Sequence, residues 1–208
     1  MKKGFTLAEV LVTLGIIGVV AALTIPTLVQ NHQKHVYVNQ LKKTYSAVSQ
    51  GLAKALVDNN ASTLVETRLF NNGSAIPFFQ QYFKTALICN KGNLSACIDE
   101  HGYMSIDGNE NHPILRGGYT DCAVLSDGAI VCILADFINS NIENLFIDIN
   151  GKKKPNVAGR DYFALMIKND GTIDTVIDGD GHGHYDFSNI DEYNAFSKIM
   201  YDGWQMKY

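Results

Sequence analysis

Residues 5–29 form a run of 25 in which 17 side chains are apolar and Glu9 is the only charge. As a helix rising about 1.5 Å per residue, the run covers roughly 37 Å, enough to cross a hydrocarbon core of about 30 Å. No other stretch of the 208 residues is long and apolar enough to do so, which excludes a polytopic membrane protein. Lys2 and Lys3 precede the run and favour an N-in, C-out orientation. The remainder is written for water: residues 30–208 hold 35 of the 38 Asp, Glu, Lys and Arg side chains. With 46% hydrophobic residues overall the chain is no disordered tail, and its length suits one domain able to bury a core without staples. Beyond residue 29, 15 Lys and Arg stand against 20 acids, so nucleic acid is a poor partner.

A basic start and an apolar centre also describe a cleaved secretory signal. Three features weigh against that reading. The run is longer than the usual apolar centre of about 7–15 residues. Ala21-Ala22 is followed by Leu23, so no Ala-x-Ala site closes it. A carboxylate, Glu9, lies inside the run, and an acid held in a membrane normally has a partner and a purpose.

Lys2-Lys3-Gly4-Phe5-Thr6-Leu7-Ala8-Glu9 resembles the prepilin leader of type IV pilins and type II secretion pseudopilins. The resemblance implies that residues 1–4 are a leader, cut after Gly4 by a membrane aspartyl peptidase that methylates the new N-terminal Phe5. Cleavage would remove two lysines, taking the charge from −4 to −6, and free an amine with a pKa near 7.7–8.0. Glu9 matches the family glutamate, fifth in the mature chain. A buried carboxylate and a buried amine are each costly alone and tolerable as a pair. The spacing permits a pair within one chain or between neighbours; the family uses the neighbour, which sets the axial stagger of subunits. Gly15, Gly18 and Pro26 fall where the family tolerates helix softening. Pro26 lacks the helical donor and is expected to kink or locally open the helix.

Val38, Leu41, Tyr45, Val48, Leu52 and Ala55 recur at three- and four-residue spacing, extending the same helix as an amphipathic half over residues 30–60. Asp58-Asn59-Asn60 supplies its stop, since Asn accepts a left-handed conformation. Residues 61–208 read as a globular head. Pro77–Leu87 suggests a short helix started by proline, and Asn71-Asn72-Gly73, Asp107-Gly108 and Gly117-Gly118 are turn signals. From Tyr119 the pattern becomes strands. Cys122–Leu125 and Ala129–Cys132 flank Ser126-Asp127-Gly128 as a hairpin, and Leu145–Ile149 is a strand ending at Asn150-Gly151. Tyr162–Ile167 and Thr172–Ile177 form a second hairpin, and 191–200 a closing helix. The fold class is α+β, a long N-terminal helix packed on a C-terminal antiparallel sheet, which is also what the pilin resemblance implies.

Four cysteines allow three connectivities. Cys89 and Cys97 bracket a seven-residue loop, and a three-residue turn sets Cys122 opposite Cys132, so 89–97 and 122–132 are the favoured disulfides. Their spacing does not suit a zinc site, and an even count on the outer side of a membrane suits an oxidising compartment. Adhesive pilins often close a C-terminal loop with a disulfide; no cysteine follows Cys132, so the chain departs from that pattern.

Asp148, Asn150, Asn156 and Asp161 lie in a stretch that resembles a D-x-N-G…P-N…G-R-D pattern of pilin-like secretion subunits. Their oxygens are hard ligands of the kind Ca²⁺ takes, and some pseudopilins carry a structural calcium in a late loop. The plainer reading is a turn between strands, in which three lysines dilute the negative field. Asp178–Asp186 alternates Asp, Gly and His, yet His182 and Asn189 break an EF-hand, so a solvated loop is the plainer reading there too. No Ser elbow, P-loop, HExxH or GxGxxG is present, and no catalytic residue is assigned.

The expected function is a non-catalytic filament subunit, a type II secretion pseudopilin or a minor type IV pilin. Its implied partners are the prepilin peptidase, like pilin or pseudopilin subunits, and an inner-membrane platform with its ATPase. Its expected place is the inner membrane, single-pass, and then a periplasmic or cell-surface filament. The alternative is an exported binding protein or enzyme held by an uncleaved anchor.

Overall fold

A computed structural model of the chain describes residues 4, 6–99, 102–106, 108, 111–112, 120–135, 142–175, 187, 190–191 and 193–208. Its first element is the helix that the two joined apolar patterns predict, α1, Leu7–Asp58. The chain divides into two compact units, Met1–Val36 and Tyr37–Tyr208.

In the first unit the large apolar side chains from Leu7 to Val29 are exposed, and this part of α1 is long and apolar enough to cross a membrane. The helix runs through Pro26 without a break; the proline nitrogen has no hydrogen to donate to the Ala22 carbonyl. The Thr13 and Thr24 hydroxyls are satisfied inside the helix, as an apolar solvent requires. Thr13 donates to the carbonyls of Glu9 and Val10, and Thr24 to that of Val20, all at 2.9 Å.

In the second unit the predicted stripe is the buried one. Val38, Leu41, Val48, Leu52 and Ala55 are buried, with Tyr45 partly so. Thr44 and Gly51 lie on the same face. Asn60 ends the helix at φ 48°, letting its amide reach the Val57 carbonyl and the Ala61 amide the Leu56 carbonyl. That pair of bonds is a Schellman closure, which satisfies two carbonyls left over at a helix end.

After α1 come a single 3₁₀ turn at Asn71–Gly73 and α2, Ile76–Tyr82. The strands are β1 (Thr85–Cys89), β2 (Tyr103–Met104), β3 (Asn111–His112), β4 (Thr120–Leu125), β5 (Ile130–Leu134), β6 (Ile142–Asp148), β7 (Tyr162–Lys168) and β8 (Ile173–Thr175). Two further helices are α3, Leu94–Cys97, and α4, Ala195–Tyr201. Six strands form one sheet in the order β1-β4-β5-β6-β7-β8, every neighbour antiparallel, and β2 pairs with β3. The α+β expectation holds.

Strand residues alternate between two covered faces, which is why β5 is buried at four successive positions. Ala123, Val131, Ile133, Leu145, Ile147, Phe163, Leu165 and Ile167 share one core with the α1 stripe and with Phe78 and Phe79 of α2. The opposite face carries Cys122, Cys132 and Ile130 in one cluster and Tyr162 with Tyr103 in another.

Two boundaries differ from expectation. The helix predicted over Pro77–Leu87 ends at Tyr82, because Phe83 turns extended (φ −128°, ψ 146°) and residues 85–89 join the sheet beside β4. The closing helix starts at Ala195 rather than 191, because the Asp191 carboxylate accepts the amides of Tyr193 and Asn194 in a turn ahead of it. Gly117-Gly118, Asp107, Tyr119 and the end of the Thr172–Ile177 strand lie outside the described residues.

Gly151 closes the β6 end at φ 64°, where a Cβ would stand 2.6 Å from the Gly128 carbonyl oxygen of the β4–β5 turn. Gly203 has a similar φ of 70° with open space around it. Gly151→Ala should therefore cost about 2–5 kcal/mol, and Gly203→Ala only about 1 kcal/mol. Urea unfolding of the detergent-solubilised full chain would show the difference; equal losses would mean that the contact with Gly128 carries no weight.

Candidate functional site

The two groups of residues singled out in the sequence lie in different units. In the first, Gly4 is exposed with open space around it, and Lys2, Lys3 and Phe5 lie outside the described residues. Thr6 is the residue before α1 and Glu9 the third within it. The Glu9 carboxylate accepts both the Thr6 amide and the Thr6 hydroxyl at 2.8 Å, while the Glu9 amide donates back to Thr6 Oγ1 at 3.3 Å. This is a capping box, which satisfies donors left over at the start of a helix. The Thr-x-x-Glu spacing that encodes it was present in the sequence, but Glu9 was assigned only to an amine partner.

In the second unit Asp148, Asn150, Asn156 and Asp161 do come together, at the end of β6 and in the connection to β7. Asp148 Oδ1 accepts the amides of Asn150 (3.1 Å) and Gly151 (2.8 Å), and Oδ2 accepts the Tyr103 hydroxyl at 2.6 Å. Asp161 Oδ2 accepts the Asn156 amide (2.9 Å) and Asn150 Nδ2 (3.1 Å), while Oδ1 accepts the Val157 amide at 2.6 Å. Asn156 Nδ2 donates to Asp99 at 2.9 Å, and the Tyr103 ring stacks on Tyr162 with centroids 3.9 Å apart. Tyr103 and Asp99 were not anticipated, since nothing local in the sequence brings residues near 100 to a loop near 150.

Every carboxylate oxygen of Asp148 and Asp161 is thus taken by a donor of the chain. Two buried amide oxygens remain without a protein partner, Asn150 Oδ1 and Asn156 Oδ1. Among the described residues no group of three or more His, Cys, Asp or Glu is placed to hold a metal. The cluster forms a hydrogen-bonded tie between the end of β6 and the connection to β7. The Asp178–Asp186 stretch lies outside the described residues. Both favoured disulfides are formed, Cys89–Cys97 and Cys122–Cys132, and Cys89, Cys122 and Cys132 stand side by side across β1, β4 and β5.

Burial pushes the Asp148 carboxyl up to about 7, and Asp161 adds to the rise, against the opposing pull of the Tyr103 hydroxyl and two amides. Burial raises Asp161 as well, and burial with Asp148 alongside drives the Tyr103 hydroxyl far above its ordinary range. A carboxyl raised on folding binds its proton more tightly in the folded state. The resulting stability is complete below the ordinary carboxyl range and is lost as pH rises through about 7. In Asp148→Asn the amide oxygen can keep both backbone donors and the amide nitrogen can donate to the Tyr103 oxygen. Thermal unfolding from pH 4 to 8 should therefore fall less steeply in Asp148→Asn than in the parent; parallel curves would reject a buried, titrating Asp148.

No curated protein and no solved structure matches the chain. What does match is short and N-terminal: residues 1–25 fit the prokaryotic N-terminal methylation motif, the prepilin-type cleavage and methylation motif of type IV pilins and pseudopilins.

Proposed function

We propose that the chain is a non-catalytic filament subunit, a type II secretion pseudopilin or a minor type IV pilin. The observation that carries this reading is the methylation motif at residues 1–25, set on a helix whose apolar side chains from Leu7 to Val29 are exposed. Prepilin peptidase cuts between Gly4 and Phe5 and methylates the Phe5 amine, which stays cationic. Before assembly the subunit is held in the inner membrane by this helix, N-in and C-out. A platform and its ATPase then draw it into a periplasmic or surface filament in which apolar helices pack together.

The capping box bears on how Glu9 works. Thr6 Oγ1 and the Thr6 amide occupy one oxygen of the carboxylate, Oε2, and both come from the residue that follows the cleavage product's new terminus. Glu9 Oε1 accepts neither of these donors and supplies the face for an amine of a neighbouring subunit. The ordered first turn aims the carboxylate, and the neighbour's amine neutralises it.

Intact mass of the protein purified from its host should correspond to a chain beginning at methylated Phe5. A retained Met1, or a cut near Ala22, would refute the reading. Glu9→Ala should be processed normally, keep a folded head by circular dichroism, and drop out of sheared filaments by at least about tenfold; wild-type incorporation would refute the assembly role of Glu9.

A further inference from the structure

The pattern Asn-x-Ser/Thr, with x not proline, occurs three times in the 208 residues: Asn60-Ala61-Ser62, Asn72-Gly73-Ser74 and Asn93-Leu94-Ser95. It is the acceptor pattern for an oligosaccharide on a surface loop of an exported chain. Both the carboxamide and the hydroxyl two residues on must be free to meet a transferase. The fold treats the three differently.

The Ser74 hydroxyl is engaged: it donates to Asp121 Oδ2 at 2.7 Å and accepts the Ile76 amide at 3.3 Å. Asn93 Oδ1 accepts the Asn90 amide at 2.8 Å, inside a loop that the Cys89–Cys97 disulfide closes. Asn60 and Ser62 are both exposed, and neither side chain is hydrogen-bonded among the described residues. Two residues before Asn60 stands an exposed acid, Asp58, where the other two patterns have Phe70 and Lys91. Asp58 completes the longer pattern Asp-x-Asn-x-Ser that prokaryotic transferases of this class read, adding a charge-assisted contact to that of the hydroxyl.

The segment can also be offered without unfolding the head. Residues 60–63 belong to no helix or strand and lie between the end of α1 and the buried Leu64. Their four amides are held locally. Those of Asn60 and Ala61 donate to the Val57 and Leu56 carbonyls, and those of Ser62 and Thr63 share Glu66 Oε2. All four bonds stay within residues 56–66, so they open at the low end of the range of local stabilities. Val57, whose carbonyl takes the Asn60 amide, is 74% exposed, an apolar side chain that an attached sugar would cover.

We propose that Asn60 is the acceptor of an N-linked oligosaccharide, transferred at the outer face of the membrane from a polyprenyl-diphosphate carrier. Asn60 Nδ2 forms a bond to the anomeric carbon of the sugar as the bond from that carbon to the diphosphate oxygen breaks. The carrier departs with the bonding electrons as polyprenyl diphosphate, and one amide proton passes to a base of the transferase. Nothing is oxidised or reduced. Asp58 and the Ser62 hydroxyl position the segment, and Asn60 supplies the bonding atom. The proposal rests on the outward-facing head of the filament reading above.

The test uses the full-length protein purified from its host membranes and digested with trypsin. Each pattern then lies on its own peptide, residues 55–68, 69–84 and 92–116. The expected result is a glycan mass on 55–68, placed on Asn60 by electron-transfer fragmentation. Asn60→Gly keeps the left-handed φ of 48° while removing the acceptor, so the head should fold and the adduct should vanish. Ser62→Thr should retain the adduct, whereas Ser62→Ala and Asp58→Ala should each lower its yield at least about tenfold. A bare 55–68 peptide would overturn the proposal, as would a glycan on Ser62 or Thr63, on Asn72 or Asn93 instead, or a yield indifferent to Asp58 and Ser62. A bare peptide on a chain beginning at methylated Phe5 leaves the filament reading standing, and a bare peptide on a chain retaining Met1 removes both. A glycan on a chain retaining Met1 keeps the acceptor and removes the filament reading.

Discussion

The packing of one face of α1 on one face of the sheet is the contact on which the second unit depends. Leu41, Val48, Leu52 and Ala55 recur on a helical period, and Val131, Ile133, Leu145, Ile147, Phe163 and Leu165 alternate on a strand period. The two periods meet in a single core. Removing one large side chain from such a site typically costs about 2–5 kcal/mol, a large share of the roughly 5–15 kcal/mol that a domain has in total. Positions outside the stripe are free for other work, and Lys43 uses one of them to pair with Asp127 at 2.7 Å.

The opposite face of the sheet is held differently. There the disulfides, the stacked Tyr103 and Tyr162, and the Asp148 and Asp161 carboxylates do what a second helix does elsewhere. Each polar group is buried at a cost that its donors offset: three for Asp148 and three for Asp161, most of them backbone amides. The tie joins segments near residues 99–104, 148–151 and 156–161, where the Met104 and Ile149 amides also donate to the Asn156 and Asp161 carbonyls.

Much of this was legible in the sequence because it rests on local rules. Asn60 announced the end of α1, Ser126-Asp127-Gly128 announced a turn, and the length of that turn set Cys122 against Cys132. The failures have a common physical origin. Thr85–Cys89 reads locally as the tail of a helix and becomes a strand only because β4, some 35 residues later, offers it a ladder. Tyr103 and Asp99 belong to the Asp148 and Asp161 cluster for the same reason. Asp148, Asn150, Asn156 and Asp161 were gathered from one loop, but the backbone amides that donate to the two carboxylates carry no signature in the sequence. The capping role of Thr6 was local and was overlooked in favour of a longer-range partner for Glu9.

The strand order also says something about time. From β4 to β8 each strand pairs with the next, so that meander closes on local contacts, which form fast. The helix face that it covers is made long before: Leu145 leaves the ribosome 93 residues after Leu52. At about 5–20 residues per second the stripe on α1 waits roughly 5–20 seconds for its partner. During that interval Leu41, Val48 and Leu52 are unshielded apolar groups on a finished helix, and their protection falls to the cell and not to the fold.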